Sequence, residues 1–319
     1  MWTSPRRALL AVGALAEAVA ENPTAAVDIP KRRRWRFEGG LTSWPETLTP
    51  HAHLRRALAG LALVLTLPVH AVAGRDFISV PVTEPQAAML GGDLYTPRGD
   101  GPHPAVILLH GCGGVAPNGP AWAQWLQSEG YAALVLDSFS ARSLRNVCGD
   151  PRLFPGGVRA ADVFAAAAQL KTLGAIDGTR IAAMGFSHGG WTVIAAWRAA
   201  ERHPDQKLRA MVALYPGGCA GGLAPATAPP LLMLVGGQDD WTPAEPCQQL
   251  AESAKQAGRA VSIVLYEDAH HAFDSAHLRG RVYVPVARGG KGATLSYNPK
   301  AHEDAEKQVK RFLEANLKP

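Results

Sequence analysis

From Phe77 onward, short apolar runs alternate with longer segments that are apolar on one side only. Residues 104–109 (PAVILL) hold no polar position and are bounded by Pro on one side and His110-Gly111 on the other. A run so short and so uniformly apolar fits a strand covered on both faces. Residues 132–136, 180–184, 208–214, 231–235 and 261–266 read the same way. Between them the pattern predicts helices over 121–129, 158–173 (rich in Ala), 189–200, 244–258 and 299–317. Two short antiparallel strands, 77–82 and 89–95, precede the series. Strand–helix alternation implies crossover connections, hence an α/β fold with a mostly parallel central sheet and helices on both faces. In such sheets the site forms on loops at the carboxyl ends of the strands. Residues 280–296 lack periodicity and are expected to be a long surface loop. No internal repeat is visible.

The N-terminal part follows another pattern. Arg55-Arg56, the apolar stretch 57–69 and the A-x-A sequence Ala71-Val72-Ala73 have the layout of a secretory signal cleaved before Gly74. The stretch of about 13 residues falls short of the roughly 20 needed to cross a bilayer; a buried or interfacial helix is the alternative. Residues 8–20 could form one short helix. Translation starting near residue 50 and an unusually long leader both remain open. The expected organisation is an N-terminal extension with a signal-like segment over 1–73 and a folded domain over 74–319, placed in the periplasm or outside the cell.

Charge sharpens that division. The formal net charge is +5. Residues 1–73 hold nine Lys/Arg against five Asp/Glu, including Lys31-Arg32-Arg33-Arg34, and the remainder holds 23 against 22. The domain is near balance, so its charge does not support a nucleic-acid footprint on it. All four cysteines, Cys112, Cys148, Cys219 and Cys247, fall in the domain. An even number in an oxidising compartment permits two disulfides. Cys112–Cys148 and Cys219–Cys247 are the favoured pairs, since each would join neighbouring loops of the predicted fold; four free thiols are the alternative. No C-x-x-C pair exists and no metal site is expected.

Candidate chemistry begins with Gly185-Phe186-Ser187-His188-Gly189-Gly190, a G-x-S-x-G motif between a predicted strand and a predicted helix. A serine on so tight a turn projects its hydroxyl above the sheet, and the glycines leave the turn room. A hydroxyl needs a base to become a nucleophile. Next in chain order, the 231–235 strand runs into Gly236-Gly237-Gln238-Asp239-Asp240, where Asp239 is favoured over Asp240 as the carboxylate that orients an imidazole. After the 261–266 strand come His270 and His271; adjacent side chains diverge, and His271 is favoured as the base. The loop His110-Gly111-Cys112-Gly113-Gly114 follows the first buried strand, so backbone N–H groups of Cys112 and His188 are the expected oxyanion donors. Cys112 as a nucleophile lacks a matching histidine. Trp241 and Trp122 could line a pocket or simply pack.

Together the motifs at 110–114, 185–190, 236–243 and 266–273 make residues 77–317 resemble the dienelactone hydrolase family of α/β-hydrolases. The resemblance implies the α/β-hydrolase fold and places the acid on Asp239 and the base on His271. It also exposes departures. The family pattern has a cysteine nucleophile where this chain has Ser187 and a glutamate where it has Gly111. A substrate-binding arginine expected four residues after the histidine is replaced by Ser275, while Arg142 is a loose match to a second such arginine. The expected activity is therefore a serine carboxylesterase working through an acyl-enzyme on a small-molecule ester. It would need no cofactor, nucleic acid or membrane span in the mature protein, and the oligomeric state stays open. A peptidase or acyltransferase on the same fold, or a catalytically silent binding protein, are the alternatives.

Overall fold

The computed structural model describes residues 73–318. Residues 53–72 of the signal-like segment, the candidate helix over 8–20 and the basic run lie outside them. No helix among the described residues is long and apolar enough to cross a membrane.

The apolar runs form an eight-stranded sheet in the order β1-β2-β4-β3-β5-β6-β7-β8. Strands β1 (Gly74–Val82) and β2 (Ala88–Thr96) form an antiparallel hairpin, and β2 runs antiparallel to β4 (Ala132–Asp137). From β4 through β3 (His103–Leu109), β5 (Ile176–Phe186), β6 (Ala210–Leu214), β7 (Leu231–Gly236) and β8 (Val261–Tyr266) every pairing is parallel.

Why residues 104–109 of β3 carry no polar position is visible in their packing. Ala105, Ile107 and Leu109 face one apolar layer, Val106 and Leu108 the other, as the two-residue period of a strand requires. Helices α2 (Gly156–Lys171), α3 (His188–Ala199) and α4 (Glu245–Gln256) close the first layer. Helices α1 (Asn118–Ser128) and α6 (Pro299–Leu317) close the second. The α6 stripe of Ala301, Ala305, Val309, Leu313 and Leu317 is buried at four-residue spacing, and the Asn298 side chain caps the helix by accepting from the Ala301 N–H.

Residues 280–296 depart from expectation. They are not a plain loop but a two-stranded antiparallel hairpin, β9 (Arg281–Val284) and β10 (Ala293–Ser296), joined through the short turn α5 (Ala287–Gly290). With four-residue strands, and with positive φ at Arg288, Gly289, Gly290 and Gly292, the segment is too brief and too glycine-rich to show a period. Its anchors are tertiary. The Asp240 carboxylate accepts from the Thr294 N–H (2.8 Å) and hydroxyl (3.1 Å), and Leu295 bridges to His271, whose carbonyl accepts from the Ser296 N–H at 3.1 Å.

Candidate active site

Ser187, Asp239 and His271 follow the carboxyl ends of β5, β7 and β8. Ser187 sits at φ 55°, ψ −110° between β5 and α3, a strained backbone held by neighbours on every side. Its N–H donates to Leu214 O at 3.0 Å, and its carbonyl accepts from the Trp191 N–H at 2.9 Å. The flanking glycines are obligatory for space. A Cβ on Gly185 would lie 2.2 Å from Gly189 O, and one on Gly189 would lie 2.0 Å from Leu109 O. Backbones of β3, β5 and α3 therefore touch at the turn, which leaves the Ser187 side chain only the direction away from the sheet.

His271 Nε2 lies 2.8 Å from Ser187 Oγ, and His271 Nδ1 lies 2.8 Å from Asp239 Oδ2. Asp239 Oδ1 accepts from the backbone N–H of Trp241 (2.9 Å) and Thr242 (2.8 Å), while Oδ2 also accepts from the Thr242 hydroxyl at 2.9 Å. Burial pushes this carboxyl up, but the attraction and hydrogen bond of His271, with the Thr242 donors, outweigh it and hold the group below the ordinary carboxylate value. Asp239 is thus anionic beside the imidazole. Rings of Tyr215 and Trp241 pack on His271 at centroid distances of 4.8 and 5.0 Å. Asp240 instead clasps the hairpin, and His270 Nδ1 faces Gln238 O at 2.9 Å, away from Ser187.

Gly111, whose Cβ position lies 3.7 Å from Ser187 Cβ, brings the 110–114 loop against the turn. Among the described residues no protein acceptor takes the Cys112 or His188 N–H. Arg159 stiffens this region. Fully buried in α2, its Nη1 donates to His110 O at 2.8 Å and to His188 Nδ1 at 3.1 Å, and its guanidinium lies over the Phe139 ring. His188 Nε2–H donates to Phe154 O at 2.9 Å, so both ring nitrogens are occupied and the ring points away from Ser187. Burial, then the Arg159 charge, pull the His188 imidazole down to about 3. His110 is kept neutral for the same reasons in the same order.

Cys112 is bonded to Cys148 and Cys219 to Cys247, the pairs expected from the sequence. Two disulfides point to an oxidising, extracytoplasmic environment. Two open clefts meet at Ser187, each of about 300 Å³. One is lined by Trp191, Trp241, Pro151, Val147 and Arg288, the other by Tyr215, His271, Leu278, Val284 and Leu295, and the Cys112–Cys148 bridge borders both.

Arg142 does not line either cleft. Its guanidinium is committed to buried Asp162 through two hydrogen bonds of 3.0 and 2.8 Å, and it also donates to Ser138 O. Its expected role in substrate binding is corrected to a structural ion pair, because both of its terminal nitrogens are used internally. Trp122 is likewise core: 2% exposed, it donates to Asp274 at 2.8 Å.

The model of the "Dienelactone hydrolase family" matches residues 90–317. The chain belongs to this family. A relative in Escherichia coli (strain K12), named "Putative carboxymethylenebutenolidase", is 29% identical over 197 residues, 56% of this chain and 70% of that protein. Among solved structures, a dienelactone hydrolase-like promiscuous phosphotriesterase from metagenomic libraries, P91, superposes with a TM-score of 0.58 at 19% identity, covering 77% of this chain and 99% of its own. The dienelactone hydrolase of Anabaena variabilis ATCC 29413 gives 0.55 at 21%, covering 77% and 99%. At these identities the structural likeness shows a shared fold. A dienelactone hydrolase family member with this site has elements that the motifs do not signal. Trp191 and the hairpin residues Val284, Arg288 and Leu295 come from packing, and Thr242, though inside the 236–243 motif, shows its part only through its hydrogen bonds to Asp239. Arg159 has a readable sign: with Asp162 it places two charges, three residues apart, on the apolar face of an Ala-rich helix.

Proposed function

We propose that this hydrolase cleaves carboxylic esters with Ser187 as nucleophile, His271 as general base and acid, and Asp239 as the carboxylate that orients it. The observation carrying this reading is the unbroken chain of 2.8 Å contacts from Ser187 Oγ through His271 to Asp239, at the mouth of two clefts. In this scheme His271 Nε2 takes the Ser187 proton as Oγ attacks the ester carbonyl. The Cys112 and His188 N–H groups receive the oxyanion. As the carbonyl re-forms, the C–O bond to the alcohol breaks and His271 returns the proton to that oxygen. Water then repeats the sequence on the acyl-enzyme, releasing the acid. The two clefts suit the acyl and alcohol portions, with Trp241 beside the reacting centre.

The same reading takes residues 74–319 as the mature domain, exported by the segment over 53–73; both disulfides support the exported state. The test is hydrolysis of short p-nitrophenyl esters together with labelling by a fluorophosphonate. Both are expected to vanish in Ser187→Ala with the melting temperature retained. Residual turnover of one tenth or more in that variant would remove Ser187 from the mechanism.

A further inference from the structure

Around the clefts, the rim carries a surface for which the chemistry above has no use. Of the eight large apolar side chains that stand exposed among the described residues, five lie on the three segments bordering the clefts. Val115 (45% exposed) follows the oxyanion loop, Leu153 (62%) follows Pro151, and Val282, Tyr283 (63%) and Val286 (54%) are on the hairpin. The hairpin meets the 149–153 segment, since Val286 Cβ lies 3.9 Å from the Cβ position of Gly149. Val282 and Tyr283, adjacent on β9, point to opposite faces of the hairpin, so the rim presents exposed apolar side chains on the hairpin and on the 149–153 segment that it touches, more than the scattered singles of an ordinary surface.

Charge gives this rim its partner. Residues 276–296 contain Arg279, Arg281, Arg288 and Lys291 and no Asp or Glu. All four cations are exposed, and none forms an ion pair among the described residues. Facing acids are neutralised or engaged: Asp150 pairs with Arg152, and Asp240 holds Thr294. Exposed apolar side chains interspersed along one segment with unpaired cations are complementary to an anionic lipid layer, where apolar groups enter the acyl boundary and cations meet the headgroups. Single-stranded nucleic acid would instead ask for several stacking aromatics, and the rim exposes one, Tyr283.

We propose that the rim formed by the hairpin and the 149–153 segment docks on anionic lipid surfaces, and that the ester substrate is an amphiphile drawn from such a layer into the clefts. The second half of this inference rests on the Ser187 esterase reading; the docking half does not. Each cation brought to the surface is worth about fivefold in partitioning.

The test is flotation of the full chain with phosphatidylglycerol vesicles and with phosphatidylcholine vesicles. Comparators are Arg279→Gln/Arg281→Gln, Leu153→Ser/Val286→Ser and Ser187→Ala. The protein is expected to float with phosphatidylglycerol at least tenfold better than with phosphatidylcholine. The charge variant should bind about 25-fold more weakly, and the apolar variant should bind at least tenfold more weakly. Both should hydrolyse soluble p-nitrophenyl acetate within twofold of the parent, which shows that they are folded. An ester of the same acyl chain should turn over faster in phosphatidylglycerol vesicles than in solution. Equal flotation with the two lipids, no flotation at all, or flotation untouched by both double variants overturns the docking surface. Preferential flotation without faster turnover in vesicles overturns the amphiphile. If Ser187→Ala floats normally yet keeps its esterase activity, the serine mechanism fails and the docking surface stands.

Discussion

Asp239→Asn is the most informative single change, because the surroundings dictate how the amide must sit. Oδ1 of Asp239 accepts two backbone N–H groups, from Trp241 and Thr242. An amide nitrogen cannot face two donors, so asparagine must keep its oxygen there and turn Nδ2 to the position of Oδ2, 2.8 Å from His271 Nδ1. Nδ2 donates, which obliges Nδ1 to accept and moves the imidazole proton to Nε2. Nε2–H then donates to Ser187 Oγ, 2.8 Å away, and has no lone pair to take the Ser187 proton. The equivalent change in a serine-protease triad costs about 10⁴-fold in kcat, or about 5 kcal/mol of barrier. We expect that loss for p-nitrophenyl acetate, with the melting temperature shifted by only a few degrees because both backbone donors keep their acceptor. Asp240→Asn is the control. Its oxygen still accepts the Thr294 N–H, so kcat should stay within threefold of the parent. A loss below 30-fold in Asp239→Asn, or an equal loss in Asp240→Asn, would refute the tautomer argument.

Further outcomes follow from the same contacts. Asp239 has its folded pKa depressed, so its stabilisation is present above the ordinary carboxylate range near pH 4 and is lost as pH falls through the folded value. The melting-temperature gap between the parent and Asp239→Asn should therefore narrow on acidification from pH 6 to pH 2; a constant gap contradicts it. Arg142→Met leaves buried Asp162 without its partner and should cost about 3–5 kcal/mol by urea denaturation, while kcat of the folded fraction is unchanged; a loss of activity without a loss of stability would return Arg142 to the site. Replacing Cys112 and Cys148 together by Ser opens a link spanning 36 positions, worth up to about 4 kcal/mol. It should also slow fluorophosphonate labelling, because the proposed mechanism takes an oxyanion donor from the Cys112 N–H; unchanged labelling would separate the bridge from that role.

How much of this can be read in the sequence depends on the length of each signal. Strands buried on both faces, such as residues 104–109 of β3 and the whole of β7, have no polar positions, and that pattern survives without knowledge of partners. The Ser187 turn is legible because its glycines answer to a local backbone constraint. Choosing Asp239 over Asp240 and His271 over His270 rests on motif position, and the contacts then give the two neighbours separate roles, with Asp240 holding the hairpin and His270 facing Gln238. The hairpin itself escapes such a reading, since four-residue strands fixed by distant donors leave no period. Arg142 misleads because an arginine near a site looks the same in sequence whether its partner is a ligand or, as here, Asp162 from α2. Arg159 is the opposite case, since a charge on the apolar side of a helix asks for an explanation that only the His110 and His188 contacts supply.

The near-contact of Gly185, Gly189 and Leu109 O has a consequence for how such a protein can change over time. The turn bearing Ser187 is fixed by main chain against main chain, with no side chain between to exchange. Sequence drift in the rim cannot easily reach it, and drift at the turn itself is nearly forbidden. The two regions are thus separated in evolvability: one is frozen, while the other is free to acquire new lengths, charges and apolar surfaces. Recombining the 281–296 segment between relatives, with Asp240 and Thr294 kept as its fastening, is accordingly the economical route to new substrate preferences on an unchanged catalytic frame.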